Sequence, residues 1–329
     1  MRLRLTPTLL LLGIVIALLA LAATGCGRDA EGEDGGVAAS TTGEQFEGRI
    51  EVDGSSTVGP LVSAAAESFR SAQPGVDVTV GISGTGGGFE RFCAGETDIS
   101  NASRPIKDDE EVPVCEENGI EYTELQVAND ALTVVVNTDN DWAGCLTVDQ
   151  LKTMWEPGAE DMVTSWSQVD PSFPDEELLL FGAGTDSGTF DYFTDAINGE
   201  EGASRTDYQA TEDDNVTVEG VANETGGLGY FGFSYFEQNQ NRLKAVEIDG
   251  GEGCVAPSVE SAQSGDYTPL ARPLFIYVKN ESLQRPEVKA FVRYIIDNAD
   301  PIAEQTLFVP LSDEQASETQ ATFEQAAGS

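Results

Sequence analysis

The 329-residue chain contains no histidine, which excludes Ser-His-Asp and Cys-His catalysis, since both need an imidazole as base. Its five cysteines include no C-x-x-C pair, so they are not spaced as a zinc site. Bases are scarce: 17 Lys and Arg against 58 Asp and Glu give a net charge of −41. Such a chain repels a phosphate backbone, which excludes nucleic acid as a partner, and it carries a heavily solvated surface compatible with a saline habitat. Lysine is also missing where a nucleotide loop needs it. The glycines of VGISGTGGGF, residues 80–89, run into Phe89-Glu90-Arg91 rather than Lys-Ser/Thr, and G-x-G-x-x-G fits poorly. No lysine has an S-x-x-K context, no cluster of acids and histidines provides for metals, and no cofactor is expected.

Long hydrophobic runs are few. The one from Leu9 to Ala23 falls short of the roughly 20 residues of a spanning helix. Arg2 and Arg4 precede it and Thr24-Gly25-Cys26 follows, the pattern of a signal peptide over residues 1–25. The small-residue site ending in cysteine resembles a bacterial lipobox, with Ala23 where leucine is usual. Cys26 is then the lipidated first residue, and the mature chain, without Arg2 and Arg4, is two charges more negative. Export and a lipid anchor on the outer face of the cell membrane are therefore expected. Residues 26–45 lack aromatics and read as an acidic, flexible tether. The folded part begins near Phe46 and is long enough for two lobes. With Cys26 committed, Cys93, Cys115, Cys145 and Cys254 form an even set in an exported chain, expected to make two disulfides. Pairing Cys93 with Cys115 and Cys145 with Cys254 keeps each link local to one lobe.

One unit occurs three times. RIEVDGSSTVGPLVSAAAESF is a strand, a Gly-Ser-Ser-Thr turn and a helix with Leu61, Ala64, Ala65 and Phe69 on one face. VDVTVGISGTGGGF repeats the plan. So does ELLLFGAGTDSGTFDYFTDAI, with Phe190, Phe193, Thr194 and Ile197 at helical spacing. In open α/β sheets ligands sit beyond the carboxyl ends of strands, where helix N-termini direct amides and partial positive charge outward. The turns add hydroxyls: Ser55, Ser56 and Thr57; Ser83 and Thr85; Ser187 and Thr189. Three converging hydroxyl-rich helix ends suit a tetrahedral oxyanion.

Arg104, in Ala102-Ser103-Arg104-Pro105 at the end of a predicted strand, is the best-placed cation, since a guanidinium offers a planar fork to oxyanion oxygens. The apolar stretches 131–137 and 273–280 read as buried strands crossing between lobes. A helix over 286–298, with Val288, Phe291, Val292, Ile295 and Ile296 on one face, packs back onto the first lobe. The predicted boundaries are 46–131 plus 272–329 for lobe 1 and 132–271 for lobe 2.

In order and spacing, DGSSTVGP, GISGTGGGFERF, ETDISNASRPIK, ALTVVVN, GTDSGTF and GGLGYFGFSYF resemble the substrate-binding lipoproteins of phosphate ABC transporters, the PstS family, over roughly residues 49–311. The resemblance implies a two-lobed α/β periplasmic-binding-protein fold of class II type, each lobe a mixed sheet flanked by helices. It implies a monomer that holds phosphate in the interlobe cleft and hands it to a permease and ATPase complex. Carried over residue by residue, it implies phosphate contacts at Thr57, the Val58 amide, Thr85, Ser187, Gly188 and Thr189, and Ser56 of the first turn is an expected contact beside them. Two positions depart from the family pattern: Ser103 stands where an aspartate is usual, and Ala183 where an arginine is usual. Arg104 is expected to supply the missing cation.

Near neutral pH phosphate carries a proton and sulfate does not, so a carboxylate facing the ligand separates them. Asp186 is the expected acceptor, with Asp53 second. The alternatives are another tetrahedral oxyanion (sulfate, molybdate or tungstate) and an exported phosphate-ester hydrolase with Ser187 or Thr189 as nucleophile, for which no base is available.

Overall fold

The computed structural model describes residues 44–328. The predicted leader, Cys26 and most of the tether lie outside the described residues. Among the described residues no helix is long and apolar enough to cross a membrane.

The valine alternation of VDVTV forms β2 (Val76–Val80), parallel to β1 (Gly48–Gly54) with Val52 opposite Val80. The other edge of β1 takes β3 (Ile99–Ala102), also parallel. Next comes β12 (Ala271–Lys279), antiparallel to both β3 and β4 (Tyr122–Asn137). The long β4 changes partner part-way: it pairs with β12 from Tyr122 to Ala131 and with β8 (Gly227–Gly232) from Leu132 to Val136. Beyond β8 lie β6 (Leu179–Ala183) and β7 (Gln209–Thr211), both in parallel, while β9 (Leu243–Ala245) pairs with the end of β4. A separate small sheet runs β11 (Cys254–Val255), β10 (Glu247–Asp249), β5 (Cys145–Thr147). The Cys145–Cys254 disulfide ties its outer strands, and Cys93–Cys115 ties two helices of the other half.

Among the described residues the two largest apolar cores lie on either side of the partner change in β4. Val58, Leu61, Val62, Ala65 and Phe69 recur at helical spacing, so the helix Val58–Ala72 buries that stripe in the first core. Pro74, just beyond, prevents its extension. Phe69 meets Phe291 of the helix Pro286–Asp297 with ring centroids 5.3 Å apart, and Val288, Val292 and Ile295 share that core. Each such side chain contributes roughly 1.5–3 kcal/mol by leaving water. In the second core Phe193 stacks on Tyr230 at 3.8 Å with Trp155 edge-on to both. Mixed sheets flanked by helices around two cores make a two-lobed α/β fold.

The glycine stretch departs from the loop its composition predicts, because the helix Gly84–Cys93 already begins at Gly84. The reason is close packing. A Cβ on Gly88 would stand 2.5 Å from the Gly54 Cα, so only glycine lets this helix lie so near the end of β1.

Candidate functional site

All three predicted strand-turn-helix units form: β1 leads into Val58–Ala72, β2 into Gly84–Cys93 and β6 into Gly188–Asn198. Residues 55–57, 83–86 and Gly188 line one cavity of about 720 Å³. Helix N-termini carry unpaired amides and partial positive charge, so their convergence makes an anion site. Gly188 approaches the first turn so closely that a Cβ there would sit 3.1 Å from Thr57 Oγ1 and 3.4 Å from Ser56 Oγ. Hydroxyls order the turns. Ser55 Oγ accepts from the amides of Thr57 and Val58 at 3.2 and 3.3 Å. Ser187 Oγ accepts from the Thr189 amide at 3.2 Å. Thr85 Oγ1 and Ser103 Oγ lie 3.0 Å apart, and the Ser103 amide donates to Thr85 Oγ1.

The cation that faces the first turn is Arg272 on β12. Its Nη2 donates to Thr57 Oγ1 at 2.9 Å and its Nε to Asp130 Oδ2 on β4 at 3.1 Å. Its guanidinium carbon lies 3.5 Å from the centroid of the Tyr192 ring, in the helix that begins at Gly188. The Arg272 side chain is only 17% exposed, where a charge-assisted bond is strong. Burial pushes the Asp130 carboxyl up, against the pull of Arg272. Arg104 also lines the cavity, but Glu111 grips its two Nη atoms at 2.7 and 2.9 Å. That pair compensates its charge and raises its pKa further.

The chain matches the model of the periplasmic-binding-protein (PBP) superfamily domain over residues 36–299. It is 47% identical over 280 residues to "Protein SphX" of Synechocystis sp., covering 85% of this chain and 83% of that one. It is 37% identical to "Phosphate-binding protein PstS" of Staphylococcus saprophyticus, covering 89% of each. The chain belongs to the PstS family. A solved structure described as a possible phosphate binding protein from Planctomyces limnophilus is 45% identical and superposes with a TM-score of 0.82, covering 86% of this chain and 99% of that one.

Against the PstS pattern, the fold brings Ser56, Thr57, Thr85, Ser103, Arg104 and Gly188 to the cavity wall, whereas Val58, Asp186, Ser187 and Thr189 are not among its lining residues. Asp186, the first choice as acceptor, is exposed. Asp53, the second, is buried and already engaged: Oδ1 accepts from Ser83 Oγ at 2.8 Å and from the Gly54 amide at 2.7 Å, and Oδ2 holds Arg91. It therefore ties the second turn and its helix to β1. Arg272, Asp130, Asp191 and Tyr192 have no counterpart among the sequence-predicted residues. Arg272 left one signal in the sequence, a cation one residue before the apolar run that starts at Pro273 in a chain poor in bases.

Proposed function

We propose that the chain binds inorganic phosphate outside the cell membrane and delivers it to an ABC-transporter permease and ATPase, tethered by a lipid on Cys26. One observation carries the reading: three helix N-termini, the hydroxyls of the first two turns and the mostly buried Arg272 meet at a single cavity. The relative from S. saprophyticus is named for phosphate binding, which agrees with that chemistry. In this reading Ser56, Thr57, Thr85, Ser103 and Gly188 contact the anion. Arg272 is its main cation and Arg104 a secondary one. The lobes are 46–131 with 272–329, and 132–271, and closing them over the ligand completes the site in a monomer.

The chain acts as a receptor rather than a hydrolase, since no histidine exists to activate a hydroxyl. Calorimetry on protein stripped of ligand, with phosphate, sulfate and molybdate, tests the reading. Phosphate is expected to bind tightest, and a preference for either other anion overturns it. Turnover of a chromogenic phosphate ester by metal-supplemented protein would overturn the receptor assignment.

A further inference from the structure

The segment from Pro105 to Gly119 flanks the anion cavity with almost no core of its own, since Cys115 is its one buried residue. A helix as short as Val112–Glu117 is marginal by itself, so that cysteine sets where it sits. The Cys93–Cys115 disulfide joins it to the last residue of the helix Gly84–Cys93, whose first turn faces the cavity. Cys93 Sγ also lies 3.7 Å from the backbone oxygen of Glu111. At the other end of the segment the Ile106 amide donates to the Tyr277 hydroxyl at 2.9 Å. So placed, the Glu111 carboxylate accepts from both Nη atoms of Arg104 and from the Lys107 amide. Lys107, the segment's other cation on the cavity wall, has its Nζ taken by Glu110 at 2.8 Å. Glu111 is not among the lining residues whereas Arg104 is, so the carboxylate grips the guanidinium from outside the cavity.

We propose that the Cys93–Cys115 disulfide is a positioning device for the anion site: it holds Glu111 on Arg104 and so withholds that guanidinium from the ligand. The inference rests on the phosphate-binding reading above. A carboxylate bound to both Nη atoms occupies the same planar fork that an oxyanion uses, so the two compete for it. With the disulfide closed, Glu111 is fixed in place at no further entropic cost, and affinity rests on Arg272. With it removed, the segment loses its buried anchor. The Arg104–Glu111 contact then falls to the small worth of a mobile, solvent-exposed pair. An anion seated among three helix N-termini takes the guanidinium instead, and the site gains a second cation. The gain is blind to the ligand's proton, so it applies to phosphate and sulfate alike.

Calorimetry with phosphate and with sulfate tests this on stripped wild type, Glu111→Gln, the pair Cys93→Val/Cys115→Val, and the triple variant, each checked for folding by circular dichroism. Glu111→Gln and the cysteine pair are each expected to tighten both anions by about 10-fold, the lower end for a charge-assisted bond because Arg104 stays partly exposed. The triple variant should bind no tighter than Glu111→Gln, since the disulfide acts only through that carboxylate. A merely structural disulfide would give no gain, or an effect that adds in full to that of Glu111→Gln, and either result overturns the inference. Arg104→Met/Glu111→Gln should bind no tighter than Arg104→Met; a gain there would route the effect around Arg104 and also overturn it. If the cysteine pair does not fold, Glu111→Gln with the disulfide intact decides: affinity within about threefold of wild type overturns the inference. These failures leave phosphate binding by the wild type standing, whereas a wild type that binds no phosphate overturns the parent reading and this inference together.

Discussion

Replacing Arg272 separates anion binding from architecture. Arg272→Met keeps an apolar stem against the Tyr192 ring but leaves Asp130, 7% exposed, without its cation. Breaking a buried pair from one side costs about 3–5 kcal/mol, whereas replacing both partners with apolar residues of similar volume is close to neutral. The single variant should therefore unfold at lower denaturant, and Arg272→Met/Asp130→Leu should recover most of the loss. Phosphate affinity should not recover. The double variant still lacks the guanidinium, a loss of about 1.5–3 kcal/mol, which is about 10- to 150-fold in Kd. Urea titrations and calorimetry on the three proteins give both numbers. A double variant whose Kd stays within about threefold of wild type would show that Arg272 only holds β4 to β12, and its role as the anion's cation would be refuted.

Gly188→Ala puts a methyl 3.1 Å from Thr57 Oγ1 while improving helix propensity by up to about 1 kcal/mol. The ligand-free protein should melt no lower than wild type yet bind phosphate more weakly, and calorimetry showing full affinity would contradict the tight approach. Asp214 has its pKa raised to about 6, first by burial and then by Asp213 and Glu212. Its folded pKa lies above the unfolded value of about 3.9, so the folded state holds the extra proton and stability falls as pH rises from about 4 to 6. Asp214→Asn should flatten that slope in denaturant titrations across the same window, and an unchanged slope would point to other carboxyls. The charge of −41 repels an incoming anion at long range, and salt screens exposed charges beyond about 8 Å. Added salt should therefore speed phosphate association, whereas slower stopped-flow association would reveal a positive funnel at the cleft.

What was legible in the sequence was what depends on short-range pattern. The three strand-turn-helix units, the two crossing strands and the helix Pro286–Asp297 follow from period and turn chemistry, and the hydroxyls at the turns follow from capping. Partners that meet only through tertiary structure stayed hidden. Arg272 and Thr57 lie 215 positions apart, and nothing local marks one for the other. Arg104 drew notice because it ends a strand beside a hydroxyl, yet Glu111, seven residues on, occupies its fork. The acids follow the same rule: Asp186 and Asp53 sit in conspicuous turns, but that Asp186 stays exposed and that Asp53 is taken by Ser83, Gly54 and Arg91 is settled only by the fold.

The change of partner along β4 has a mechanical consequence. Two antiparallel strands, β4 and β12, pass between the halves side by side, and a pair of adjacent straps leaves one soft rotation while resisting shear and stretch. Points near that axis barely move as the halves swing, and distant points move most. Arg272 and Asp130 face each other across the two straps, close to the axis. A swing of the halves about that axis would therefore leave the guanidinium nearly in place, still between Asp130 and Thr57.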